Sequence, residues 1–360
     1  MRRMNQLILL ATVVLSVSSN TEAQDPFPEA TPLAIDTIMN SVLESGGSPG
    51  AAVAVVVDGK FRWSNAYGAL DLESKIPTTP DSVFRFASIS KMLTATATMQ
   101  LVEAGKLDLD AKAREYCPAL PSANSAITVH HLLCHQSGLR HWRKTAERYN
   151  QTHYRKIEAT LSVIADSPLL FEPGTADEYS TPGYNVVGCV IEKASGMKYA
   201  DYMQKRIFAA ADMKNSFIGD PPSKNKNKAR GHRPGPRGPR PAREDNLSIK
   251  YPGGGLSGSV VDLALFAEAL FQGKLVNSDS LNTMWSQKPL KDGSLTNKGY
   301  GCNIGTEKDR KVVWHIGGVS GFCGNLYFYP DRKAAVAVLF NLEAQDVFPT
   351  ASSIMDELLK

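Results

Sequence analysis

Ser88 and Lys91 bound the tetrapeptide Ser88-Ile89-Ser90-Lys91, a spacing that lets a hydroxyl and an amine meet. Side chains three residues apart share one face of a helix, about a turn from each other. An amine placed there can take the hydroxyl proton, and the positive end of the helix favours the charge of the attacking oxygen. To act as a base the lysine must be partly neutral, a state that burial and nearby cations favour. The pattern alone is weak, because Ser195/Lys198 and Ser223/Lys226 repeat it. Ser195 lies in a Ser-Gly turn after a helix and Ser223 in a basic stretch. Ser88 instead joins an extended Phe84-Arg85-Phe86-Ala87 segment to a long apolar one. The competing role for Ser88 is an ordinary helix N-cap.

Two further groups could join this chemistry. Tyr179, in Tyr179-Ser180-Thr181, follows FEPGTADE and precedes an apolar helix, PGYNVVGCVIEKASG. A tyrosine at such a junction can face a cleft and shuttle protons if cations lower its pKa; otherwise it packs on the surface. His315-Ile316-Gly317-Gly318 ends the strand KVVW. Glycines there let a substrate lie along the strand edge and let a main-chain N–H serve an oxyanion. The competing reading is a turn that ends the strand.

The elements that must position these residues are legible in outline. Residues 33–45 repeat apolar positions at helical spacing and stop at Gly46-Gly47. AAVAVVV, Asp58-Gly59 and KFRWSNAYG predict a β-hairpin. From Ser88 the chain becomes a helix apolar on most sides, hence a buried central one, ended by Gly105. Helical pieces joined by Pro- and Gly-bearing loops fill residues 107–250, LALFAEALFQG predicts another helix, and KGYGCNIGT, KVVWHIG, GNLYFYP and KAAVAVLFN predict strands before a last helix at 347–359. This order predicts an α/β sandwich whose sheet is built from both ends of the chain. An all-helical lobe is inserted in it, with the site in the cleft between. We place the α/β lobe at about 30–90 and 255–360, and the helical lobe at about 91–254.

Bulk properties narrow the partners. The chain has 360 residues, 42% hydrophobic and 21% charged, with a formal charge of +4. So mild a surplus points to neither nucleic acid nor membrane as main partner. Arg2 and Arg3, the apolar run Leu7 to Val17 and Thr21-Glu22-Ala23 predict a cleaved signal peptide over 1–23. The run is too short to span a bilayer. Export to the periplasm or medium is therefore expected, with no stable membrane span. Five scattered cysteines predict mostly buried thiols and leave one bridge open. The basic segment 223–243 is expected to be a solvated loop. His131 and His135 form an HxxxH, but no Glu follows His131, so the metalloprotease pattern is missing. Gly46-Gly47-Ser48-Pro49-Gly50 matches GxSxG in the wrong order of elements. Gly253-Gly254-Gly255-Leu256-Ser257-Gly258 contains GxGxxG without a βαβ unit, and reads as a close backbone turn. His141 and Trp142 line the pocket or simply pack.

Five ordered blocks carry a family resemblance: FRFASISKMLTATATMQLVEAGKLDLD, ITVHHLLCHQSGL, FEPGTADEYSTPGYNVVG, YPGGGLSGSVVDLALFAEAL and HIGGVSGF. From about residue 33 onward the chain resembles the serine β-lactamase-like family of class C β-lactamases, DD-carboxypeptidases and related family VIII-type esterases. The YST form and KASGMKYADYMQK resemble its mitochondrial branch most. The resemblance implies an antiparallel sheet flanked by helices plus an all-helical domain. It implies Ser88 as nucleophile, Lys91 and Tyr179 in the proton transfers, and His315 at the position of the family's Lys or His. Thr181, Gly317 and Gly318 would bind substrate, with the N–H groups of Ser88 and Gly318 as oxyanion hole. Two departures bear on specificity: Thr181 stands where many members have Asn, and Ile316 where they have Thr. Each removes a polar partner worth ~1–3 kcal/mol, so weak β-lactam turnover is expected.

The expected function is therefore a serine hydrolase acting on amide or ester bonds through a Ser88 acyl-enzyme, without metal or organic cofactor. D-amino-acid peptides, β-lactams and small esters are its candidate substrates. The alternative is a non-catalytic penicillin-binding or scaffold protein that keeps the fold. The sequence sets no oligomeric state.

Overall fold

A computed structural model describes residues 30–360; the expected signal peptide, 1–23, lies outside the described residues. The hairpin forms as its turn dictates. Asp58 and Gly59 both adopt positive φ, 52° and 71°, which matches the twist of strands β1 (Gly50–Val57) and β2 (Lys60–Gly68). Four more strands follow late in the chain: β3 (Asn303–Glu307), β4 (Arg310–Val319), β5 (Phe322–Tyr329) and β6 (Ala334–Phe340). They pair antiparallel in the order β2-β1-β6-β5-β4-β3. The sheet is thus closed by its two chain ends, β1 lying against β6. Asn341 clamps this seam: its Oδ1 accepts from the Gly50 N–H at 2.7 Å, and its amide donates to the Ala69 and Leu70 carbonyls.

Both faces of the sheet are covered, which is why β1 and β6 read as unbroken apolar runs. Val53 and Val55, with Val336, Val338 and Phe340, face Ile35 and Met39 of α1 (Ala30–Gly46) and Ile354 and Met355 of the C-terminal helix Val347–Leu358. The alternate residues Ala52, Ala54 and Ala337 pack with Leu263, Phe266 and Leu270 of the helix Val260–Phe271. Small side chains on that face let helices approach closely. The same apolar cluster continues through α2 (Ser90–Glu103) into the helices of residues 113–208. Helix α2 is buried nearly all round. Its three threonines are satisfied: Thr96 and Thr98 donate to carbonyls one turn back and Thr94 to the Pro252 carbonyl.

Some local readings change. The strand expected from residue 298 begins at Asn303, because Gly301 turns with φ 75° and a Cβ there would lie 2.5 Å from the Lys91 carbonyl. The HxxxH does not lie on one helix: the helix Val129–Leu133 ends before it is complete, leaving His135 at φ 63° beyond it. The basic segment is not simply a solvated loop. His232 is fully buried, and its N–H donates to the Asn341 carbonyl at 2.9 Å, while Arg233, Arg237 and Arg240 stay exposed. Five cysteines are free and buried, and the Cys117 and Cys189 thiols share a hydrogen bond.

One contact fixes the distance between the sheet and the start of α2. Gly317, on β4, sits so close to the Phe86 carbonyl that a Cβ would lie 2.3 Å from it. Gly317→Ala is expected to cost about 1–3 kcal/mol through overpacking. The test is a lower denaturant midpoint at unchanged slope; an unchanged midpoint would show that the strand has room to move.

Candidate active site

Ser88 is not an N-cap. It occupies the middle of a 3-10 turn, Ala87–Ile89, that leads into α2. The turn is strained, since Ala87 takes φ 48°, a left-handed conformation that costs a non-glycine residue about 1–3 kcal/mol. Neighbours hold it there. The Phe86 N–H donates to the Leu256 carbonyl at 2.9 Å, and Ser90 Oγ accepts from the Leu256 N–H at 3.1 Å. The short strand Leu256–Gly258 thereby pins both sides of the turn, and Ser88 points into a cavity.

Lys91 lies beneath Ser88 and is completely buried. Its Nζ is 2.5 Å from Tyr179 Oη, 2.5 Å from the Gly253 carbonyl, 3.3 Å from Thr181 Oγ1 and 3.4 Å from Ser88 Oγ. None of these partners is a carboxylate. Burial therefore drives the amine well below its usual pKa of 10.5, and the charge of Lys250 pushes it the same way. The GxGxxG stretch contributes here as a close turn: Gly253 has no room for a side chain against Thr181 and Tyr184, and its carbonyl accepts a hydrogen bond from Lys91 Nζ.

Tyr179 completes the contact. Its hydroxyl donates to Ser88 Oγ at 2.6 Å. Burial raises its pKa, against the opposing pull of its hydrogen bonds and of Lys298, so the phenol stays protonated at neutral pH. The lowered phenol that the sequence reading required does not occur; a protonated phenol between amine and serine can still pass a proton along. The helix α3 (Thr181–Ser195) starts directly after it, capped by Ser180 Oγ, which accepts from the Gly183 N–H. Two histidines brace this junction. His135 Nδ1 accepts from the Ser180 N–H and His141 Nδ1 from the Thr181 N–H, each at 3.2 Å. Only a neutral imidazole can accept in this way. The two rings of the HxxxH are thus committed separately, since His131 Nδ1 takes the Thr128 N–H.

The remaining residues singled out from the sequence divide by place. Ser88, Tyr179, Thr181 and Gly318 line a cavity of about 230 Å³, together with His141, Trp142, Arg148, Lys250 and Ser320. Gly318 has nothing within 4 Å of where a side chain would begin, so its backbone is open to the cavity. Gly317 is buried behind it. His315 is also buried, 6.3 Å from the Tyr179 ring between centroids, and donates from Nδ1 to the Ile316 carbonyl at 2.8 Å. Ile316 points away and is 41% exposed. Among the described residues, no group of three or more His, Cys, Asp or Glu could hold a metal ion.

The family described as Beta-lactamase matches residues 35–358. The chain belongs to that family. The mitochondrial serine beta-lactamase-like protein LACTB of Homo sapiens is 27% identical over 432 aligned residues, covering 90% of this chain and 79% of the human one. The octameric penicillin-binding protein homologue from Pyrococcus abyssi superposes with a TM-score of 0.78 at 26% identity, covering 90% of this chain and 76% of that one. D-amino acid amidase from Ochrobactrum anthropi SV3, complexed with L-phenylalanine amide, gives 0.79 at 26% identity, covering 92% and 97%. The expected resemblance and fold class are thus shown, and the chain is a β-lactamase-fold member of a hydrolase family. No helix among the described residues is long and apolar enough to cross a membrane.

In this β-lactamase family member, sequence reasoning missed the roles of His135, Lys250 and Gly253. The signals were present as HQSGLRHW and IKYPGGG, yet nothing in their spacing says which atoms they turn toward Lys91 and Thr181. The neutral histidines have a consequence in acid. Burial first, then the nearby Lys91 charge, depress His141 to about 4, His315 to about 3, and His135 well below 6.5. The unfolded chain therefore binds more protons once pH falls below 6.5. Stability should be complete above pH 6.5 and be lost progressively down to about pH 3. His315→Asn, whose amide can still donate to the Ile316 carbonyl, is expected to reduce that loss by a few kcal/mol. Parallel acid melts of the two proteins would show the imidazole to be charged in the fold if their slopes coincide.

Proposed function

We propose that the chain hydrolyses small amides or esters through a covalent acyl-enzyme on Ser88. The observation that carries this reading is the unbroken contact Lys91 Nζ–Tyr179 Oη–Ser88 Oγ, at 2.5 and 2.6 Å, ending in an amine whose pKa burial pushes well below 10.5. Rotation of the two hydroxyls turns the Tyr179 proton toward the neutral Lys91 amine and the Ser88 proton toward Tyr179. Tyr179 then hands its phenolic proton to Lys91 as it takes the proton of Ser88. The freed Oγ attacks the substrate carbonyl carbon, and the oxygen that gains charge faces the N–H groups of Ser88 and Gly318. When the tetrahedral adduct collapses, the departing amine or alcohol takes the proton back from Lys91 through Tyr179. A water then enters, gives a proton to the same pair and attacks the acyl carbon; as the C–Oγ bond breaks and the acid leaves, the pair returns that proton to Ser88 Oγ.

Two features support small amides and esters over β-lactams. Thr181 Oγ1 accepts from Lys91, so its hydroxyl is partly occupied, and Ile316 lies outside the cavity wall. The amidase resemblance favours an amide with a compact acyl group. His315 acts as a neutral neighbour of Tyr179, a positioning residue, with Gly317 allowing the close approach of its strand.

A fluorophosphonate probe should add one mass increment to the wild type and none to Ser88→Ala. No increment on either, with no turnover of any ester, amide or lactam, would leave the fold a scaffold. Lys91→Ala and Tyr179→Phe are each expected to slow acylation about 10²–10⁴-fold while the protein still melts cooperatively. Wild-type rates in either would remove that residue from the reaction. Because the neutral amine is the active form, the acylation rate should rise with pH and reach its plateau well below the usual lysine pKa of 10.5. A rise continuing to pH 10.5 would mean Lys91 is not the base.

A further inference from the structure

Charge around the cavity is one-sided. Arg148 and Lys250 line it, and no aspartate or glutamate does. The carboxylate paired with Lys250, Asp245, is fully committed. Its Oδ1 accepts from Arg85 and its Oδ2 from Lys250, both at 2.6 Å, and its side chain has no exposure. Lys250 also donates to the Arg148 carbonyl at 3.1 Å, which fixes that residue in the cavity wall. Two of the three ammonium protons are thus used, and the third has no partner among the described residues. The Arg148 guanidinium, 5.7 Å from the Tyr149 ring centroid, is exposed and has no carboxylate partner among the described residues. Strand β4 adds no side-chain charge: it lines the cavity with Gly318 and Val319 and turns Ile316 outward.

We propose that Arg148 and Lys250 form a binding site for a carboxylate carried by the substrate, so that the enzyme selects acidic acyl compounds over neutral ones. The inference rests on the Ser88 hydrolase reading above. A guanidinium offers a planar pair of donors matched to the two oxygens of a carboxylate, and the free ammonium proton adds a third contact. Burial lowers the pKa of Lys250, and Asp245 behind it opposes that shift and holds the ammonium in place at the cavity wall. In a space of about 230 Å³ the anion must sit within a few bonds of the reacting carbonyl, so the acid belongs to the substrate and is not a separate ligand.

Mono-p-nitrophenyl adipate and p-nitrophenyl hexanoate share an acyl length and differ by a terminal carboxylate. Rates corrected for uncatalysed hydrolysis should give the wild type about tenfold or more higher kcat/KM on the adipate. That preference should shrink as salt is raised. Arg148→Gln, an exposed and fold-neutral change, should cut the adipate-to-hexanoate ratio about tenfold, whereas Arg148→Lys should restore part of it. Equal kcat/KM on the two esters, or a ratio that Arg148→Gln leaves alone, overturns the carboxylate site while the hydrolase reading stands. Failure of both esters to acylate Ser88, seen by intact mass, overturns the hydrolase reading and the site with it.

Discussion

An amine buried without a counter-ion is the constraint around which this molecule is arranged. Lys91 has four oxygen neighbours and none of them is charged. Such a group costs several kcal/mol if protonated and much less if neutral, so burial favours its base form. Lys250 reinforces the choice from a distance, its own charge secured by Asp245. The three histidines around the same spot follow the same logic. Each is neutral because burial and the surrounding cations disfavour another positive charge, and two of them then serve as acceptors for the backbone that carries Tyr179 and Thr181.

Holding that arrangement requires close backbone approach, and small residues supply it. Gly317 lets β4 touch the Phe86 carbonyl, Gly301 lets a loop touch the Lys91 carbonyl, and Gly253 brings an acceptor to the lysine. Ala87 is the exception, a residue with a Cβ kept in a left-handed conformation by the hydrogen bonds on either side of it. Strain at the turn bearing Ser88, and a buried amine without a counter-ion below it, are both unfavourable for folding. The large two-sided sheet and the continuous apolar cluster through α2 offset them.

The sequence made much of this visible. The candidacy of Ser88, Lys91 and Tyr179 was legible less from their types, since the Ser-x-x-Lys spacing occurs three times, than from their setting and from the ordered blocks that resemble the serine β-lactamase-like family. The hairpin was legible from Asp58-Gly59, and α2 from its lack of a polar face. What stayed hidden depends on contacts across the chain. His135 showed in the sequence only as the end of a discounted HxxxH; that its lone pair receives the Ser180 N–H depends on a contact across the chain. The direction of the Tyr179 shift depends on how much water is removed, which no local pattern encodes. His232, within a segment that reads as solvated, is buried because residue 341 returns to meet it.

The seam between β1 and β6 has a further consequence, in time and not in space. Residues near 50 and near 340 are paired, so the sheet cannot close until almost the whole chain is available. Strand β4, which supplies Gly317 and Gly318 to the site, belongs to the portion synthesised last. A growing polypeptide therefore carries Ser88 and Lys91 long before it has the strand that frames them. The cavity around Ser88 is complete only once those final strands have joined the sheet.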